Sequence, residues 1–136
     1  MIACAPDRAC PCGRLDAKRK PLAYAQCCGK WLESDTPAPD ATSLMRSRYS
    51  AFVLERRGYL LQTWHASQRP ASLEFDPGVK WLGLEVRSHR VLDATHAEVE
   101  FIARQKLAGG PAVRLHERSR FVLEQGRWLY VDGVQP

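Results

Sequence analysis

All five cysteines of this chain, Cys4, Cys10, Cys12, Cys27 and Cys28, fall within its first 28 residues, and the other 108 residues contain none. A disulfide framework spreads its cysteines over the segment it braces, and an odd number leaves one unmatched. Crowding of this kind in a reducing compartment points to metal or redox chemistry rather than to bridges.

Four of the five form two tight pairs. In Cys10-Pro11-Cys12-Gly13, Pro11 fixes one backbone dihedral and Gly13 permits a positive one, which is the turn two ligands on one ion require. In Cys27-Cys28-Gly29, adjacent cysteines can both ligate only where the backbone bends, and Gly29 suits a helix end; Tyr24-Ala25-Gln26 supplies one helical turn leading in. The set Cys10, Cys12, Cys27 and Cys28 therefore reads as the closed tetrahedron of one structural Zn²⁺. About thirty residues with few large apolar groups cannot hold themselves together, so metal binding and folding are one event for this segment. The alternative is a group of free or redox-active thiols without metal. Cys4 stands outside both pairs and reads as a free thiol in a loose tail, with a substitute ligand as the other reading.

Charge separates the same region from the rest. Residues 1–30 hold six Lys/Arg against two Asp/Glu, and residues 31–136 hold fourteen against thirteen, so most of the formal +5 sits around the cysteines. Four thiolates on one Zn²⁺ reduce that excess, and Lys18-Arg19-Lys20 is the only basic run, so nucleic acid is not expected as a partner. No apolar stretch is long enough to span a bilayer, and Met1–Cys10 lacks the basic start and apolar run of a secretory signal. The expectation is a soluble cytoplasmic protein with no membrane partner.

Composition marks three segments: a Cys-rich basic module over 1–33, a linker over 34–40 with two prolines among small polar residues, and a periodic region over 41–136. In the third, Asp40, Thr42 or Ser43 can cap a helix whose apolar residues Leu44, Met45, Tyr49, Phe52 and Val53 recur at helical spacing as far as Gly58. Arg46, Arg48, Glu55, Arg56 and Arg57 take its wet side. A second helix spans Tyr59 to His65, with Leu60, Leu61 and Trp64 on one face. From Trp81 the period becomes two: Leu82, Leu84 and Val86, then Val99, Phe101 and Ala103, then Leu115, Phe121 and Leu123, then Leu129 and Val131. Turn signals near Asp93, at Gly109-Gly110-Pro111 and at Gln125-Gly126 favour an antiparallel meander, and helices followed by strands are the signature of an α+β fold.

The same residues carry a resemblance. Cys-Pro-Cys-Gly followed by Cys-Cys-Gly is similar to the SEC-C motif, the zinc-binding element at the C-terminus of the SecA translocation ATPase. Leu44-Met45-Arg46-Ser47-Arg48-Tyr49-Ser50-Ala51-Phe52, Thr63-Trp64-His65, Trp81-Leu82-Gly83-Leu84 and the stretch Leu115 to Phe121 resemble the YchJ (UPF0225) family of bacterial proteins, which join an N-terminal SEC-C motif to an NTF2-like domain. The resemblance runs through nearly the whole chain and implies an NTF2-like cone, with N-terminal helices packed on a curved antiparallel sheet and a cup between them. One departure is the spacer: fourteen residues separate Cys12 from Cys27, more than the motif usually has. The excess falls in Leu15 to Leu22, and its added closure entropy is well under about 1 kcal/mol.

Strand parity puts Glu117 on the face of Leu115, Ser119, Phe121 and Leu123. A carboxylate among apolar neighbours needs a partner or a raised pKa, and both conditions are common in pockets. His65 beside Trp64 and His116 beside Glu117 are the other candidates for acid–base work, set against the plainer reading of all three as structural groups. Nucleophile-elbow, phosphate-loop and nucleotide-binding patterns do not occur. Two functions follow: a binding or adaptor protein, with a structural zinc knuckle for a protein partner and an NTF2-like domain that binds a small ligand or dimerises, or a small-molecule enzyme using Glu117 with His65 or His116 in the cup.

Overall fold

The computed structural model describes all 136 residues. A 3-10 turn at Tyr24–Gln26 leads into helix α1 (Gly29–Leu32), followed by α2 (Ala41–Val53) and α3 (Arg57–Gln62), and then by strands β1 (Lys80–Asp93), β2 (His96–Lys106), β3 (Ala112–Glu124) and β4 (Arg127–Val134). The strands form one sheet in the order β1-β2-β3-β4. Each neighbouring pair is antiparallel, so the meander expected from the turn signals is the observed topology. None of the helices is long and apolar enough to cross a membrane.

Asp40 is the residue that caps α2: its side chain accepts from the Ser43 N–H at 2.7 Å. The helix stops at Val53 instead of running to Gly58, because Glu55 adopts the left-handed conformation at φ 55°. The Arg56 N–H then reaches back to the Ala51 carbonyl at 2.8 Å and the Glu55 N–H to Phe52 at 3.3 Å. These are the two bonds of a Schellman ending, formed here without glycine, which is why the sequence pointed past the true end. The second helix consequently begins at Arg57 and is over by Gln62. Beyond it, Trp64 lies beside Tyr130, with the His65 N–H donating to the Tyr130 carbonyl and the Tyr130 N–H to Thr63, so the exit of α3 is pinned to β4.

The sheet curves because β1 is bulged in three places, between Trp81 and Gly83, Val86 and Ser88, and Val91 and Asp93. An extra residue in one strand bends it and shifts its parity. Trp81, Leu84 and Val86 therefore pack against the core while Leu82, expected to share their face, is exposed. In the concavity sits α2, and it is covered nearly all round. Leu44, Met45 and Tyr49 meet Val99, Ala103 and Phe121 of the sheet. Ser47 bonds Tyr59 of α3 at 2.7 Å, and Ser43 and Ser50 face the cysteine-bearing segment. The wet side assigned to this helix is thus corrected: Arg48 is only 6 % exposed, and Arg46 turns to the cysteine segment, donating to the Cys12 carbonyl at 3.2 Å.

Candidate functional site

The four paired cysteines are all buried, and their sulfur atoms lie within 4.8 Å of one another. A tetrahedron with metal–sulfur bonds of about 2.3 Å has edges of roughly 3.8 Å, and Cys12 Sγ and Cys27 Sγ stand 3.5 Å apart, so the donor set fits one tetrahedral ion with little movement. Gly13 takes the positive φ expected of the first turn, at 74°. Gly29 serves another purpose than the helix end assigned to it. It opens α1, and a Cβ there would lie 2.6 Å from the Tyr24 carbonyl oxygen, so glycine lets the second pair approach the turn that precedes it. Without a cation the set cannot ionise evenly: hydrogen bonds from Cys12, Cys27 and Cys28 hold the Cys10 thiol far below its ordinary range, and the same bonds raise Cys27 and Cys28. One divalent ion removes that imbalance.

The cluster belongs to the same hydrophobic core as α2 and the sheet. Ser50 Oγ lies 3.7 Å from Cys10 Sγ, Arg46 Nη1 lies 3.9 Å from Cys12 Sγ, and Arg14 donates to Ser43. Glu33 ties the far side, pairing with Arg56 at 2.9 Å and accepting from the Tyr24 hydroxyl. The long spacer makes its own hairpin: Leu15 bridges Pro21, and Asp16 accepts from the N–H groups of Lys18 and Lys20 at 2.8 and 3.0 Å. Cys4 lies apart, half-buried, bonding only the Ala5 carbonyl through its thiol.

A second site opens between α2 and the concave sheet, a cavity of about 320 Å³ walled mainly by aromatic rings, among them Tyr49, Trp64, Trp81 and Phe121. Besides the tyrosine hydroxyls and tryptophan N–H groups, its polar side chains are Arg48, Glu117 and Ser119. Glu117 lies on the face that strand parity assigned to it, where its Oε2 accepts from the Ser119 hydroxyl and from the Tyr130 hydroxyl at 3.2 Å. Burial and this carboxylate push the Tyr130 phenol well above its usual value. Arg48 packs between two rings, its guanidinium carbon 4.9 Å from the centre of Trp64 and 4.6 Å from that of Tyr130. Desolvation lowers it to about 10, so it remains a cation at neutral pH.

The two histidines lie elsewhere. His65 points to the surface, where Nε2 meets Glu124 at 2.9 Å and Nδ1 meets Ser67. His116 is on the outer face of the sheet against Glu100 at 2.8 Å. Two residues that line the cup, and one that packs behind Glu117, escaped sequence reasoning. Arg48 was masked by its grouping with Arg46, Arg56 and Arg57 on the side read as wet, and Tyr130 by a bulge opposite Arg120/Phe121 that shifts β4. The third is Gly133, paired with Ser119, where any Cβ would overlap the Glu117 carboxyl group. A glycine inside a strand signals such a close approach, and that was the available clue.

Fold and site together define an NTF2-like α+β protein with a four-cysteine cluster seated on its central helix; residues 40–133 match the description "YchJ, middle NTF2-like domain". The chain belongs to the YchJ (UPF0225) family. It is 75 % identical to a UPF0225 protein of a Polaromonas species over 94 % of each chain, and 62 % identical to one of Methylibium petroleiphilum, covering 91 % of this chain and 86 % of that one. Among solved structures it is similar to a SEC-C motif containing protein of Rhodopseudomonas palustris, with a TM-score of 0.79, 32 % identity and coverage of 95 % and 99 %. A SEC-C motif containing protein of Psychrobacter arcticus gives a TM-score of 0.78 and 33 % identity, with 93 % and 82 % covered.

Proposed function

We propose that this is a binding protein in which Cys10, Cys12, Cys27 and Cys28 hold one structural zinc ion, and the cup behind α2 receives a small molecule. The observation that carries the reading is the convergence of four buried sulfurs within 4.8 Å, a donor set that fills a tetrahedron and leaves no position for a reacting group. Zinc is the ion this set suits, since four thiolates are soft donors and zinc needs no other geometry than tetrahedral. Arg46 beside Cys12 offsets part of the negative charge of such a centre. The ion's contribution is structural: it joins the N-terminal turns to one another against α2. Zinc-loaded thiolates persist where thiols stay reduced, which suits the cytoplasm.

With the cysteines turned toward the core, a protein partner meets the module on its outward side. The hairpin of Arg14 to Leu22, with Lys18, Arg19 and Lys20 exposed, is the surface offered. The enzyme reading keeps Glu117 in the cup but loses both histidines proposed as its acid–base partners, so binding is favoured.

Elemental analysis of the purified, reduced chain tests the first half: one zinc per chain is expected, and Cys27→Ser should lower that content sharply. Absence of stoichiometric zinc, or retention of it in Cys27→Ser, would reject the centre. Capture of a protein partner that is lost when Lys18, Arg19 and Lys20 are replaced by serine would support the adaptor role, and unchanged capture would remove the hairpin from it.

A further inference from the structure

The guanidinium of Arg48 is a buried cation with no ion-pair partner. It is 6 % exposed, yet it takes part in none of the ion pairs of the chain. Its Nη1 donates to the Leu60 carbonyl at 2.8 Å and to Thr63 Oγ1 at 2.7 Å. The Nε–Nη2 edge has no protein acceptor, and the residue lines the cup. The Trp64 and Tyr130 rings and, at longer range, Glu117 stabilise the cation, but its open edge has no hydrogen-bond acceptor, which a buried donor pair requires. Two N–H groups side by side on a rigid plane match the two oxygens of a carboxylate.

The rest of the cavity narrows the ligand. Its walls are aromatic, and its volume of about 320 Å³ is roughly twice that of a cavity known to hold a benzene ring, about 150 Å³, leaving room for one ring and a short acid arm. Glu117 stands in the same cavity, bonded to hydroxyls, within electrostatic range of Arg48 but in no salt bridge with it. Its charge opposes a second negative charge on the ligand, so a phosphate ester or dicarboxylate is disfavoured where a single carboxylate is accepted.

We infer that the cup selects a small aromatic monocarboxylate, with the acid group on the Nε–Nη2 edge of Arg48 and the ring among Trp64, Trp81 and Phe121. This rests on the reading of the cup as a ligand site and adds the chemistry that it recognises.

The test is calorimetric titration of the zinc-loaded chain at pH 7 with phenylacetate, phenylacetamide and phenyl phosphate. Phenylacetate should bind about tenfold or more tightly than the amide, the margin of a charge-assisted bond over a neutral one, and more tightly than phenyl phosphate. Arg48→Met should abolish the advantage of acid over amide, and Glu117→Gln should narrow the gap to phenyl phosphate. The acid–amide comparison is made on the unaltered chain, so it stands even if a variant fails to fold. Equal binding of acid and amide, or an acid preference that survives in folded Arg48→Met, overturns the inference while leaving the cup a binding site. Binding by none of the three removes both.

Discussion

Glu117 owes its position to a missing atom. Gly133 faces it from β4, and any side chain there would overlap its carboxyl group, including Oε2, the oxygen that accepts from the Ser119 and Tyr130 hydroxyls. Gly133→Ala should therefore push Glu117 out of its cradle, and overpacking of this kind costs about 1–3 kcal/mol. The check is the urea midpoint at constant m-value; a shift below about 0.5 kcal/mol would mean the carboxylate has room to swing aside. Glu117 itself was legible in strand parity, since alternation along β3 is undisturbed. Arg48 was not, because helical periodicity distinguishes one apolar stripe from the rest, and α2 is covered on several sides at once.

Among the elements, the outer face of the sheet is laced by charge pairs placed opposite one another by register. The best formed joins β3 to β4: Arg120 Nε and Nη2 each donate to one oxygen of Asp132 at 2.6 Å. This guanidinium holds the Asp132 carboxyl below the usual aspartate range. The folded chain thus binds this proton less readily than the unfolded chain does. The stabilisation is complete above the ordinary carboxylate pKa, near pH 4, and is lost as pH falls through the depressed folded value. Asp132→Asn should flatten that limb of a stability-against-pH curve, and by a small margin only, since the pair is exposed to water and screened by salt. Carbon-13 NMR titration of the Asp132 carboxyl should give a midpoint below that of a free aspartate; an ordinary midpoint would count against the pairing in solution. Glu85 and Glu100 are lowered in the same direction, by Arg87 and His116 first.

At the scale of the whole molecule, the cysteine segment and the cup are two sides of one helix. Cys10, Cys12, Cys27 and Cys28 share a core with Leu44, Met45 and Tyr49, and the last two of these also line the cup. If the four cysteines hold zinc as proposed, losing the ion should therefore loosen α2 as well as the N-terminal turns. Stripping zinc with a chelator under reducing conditions should lower a single calorimetric transition by about 10 °C or more, as expected when a few kcal/mol of metal-linked folding energy is removed. Two separated transitions, with the later one unmoved, would show that the segments fold independently. The same coupling predicts weaker ligand binding in the cup of the stripped protein.

The sequence by itself determined the cysteine pairs, the helix-then-strand order, the meander and the face of Glu117, because each is written in spacing: adjacent ligands, periods of 3.6 and 2, and turn residues between them. Tertiary structure decided where α2 ends, which of its arginines is buried, that Leu82 leaves the core, and that His65 and His116 stand outside the cup. Those outcomes depend on a left-handed Glu55, on bulges that reverse parity, and on several elements closing over one helix. Contacts of that kind join residues far apart in the chain, and no local pattern records them.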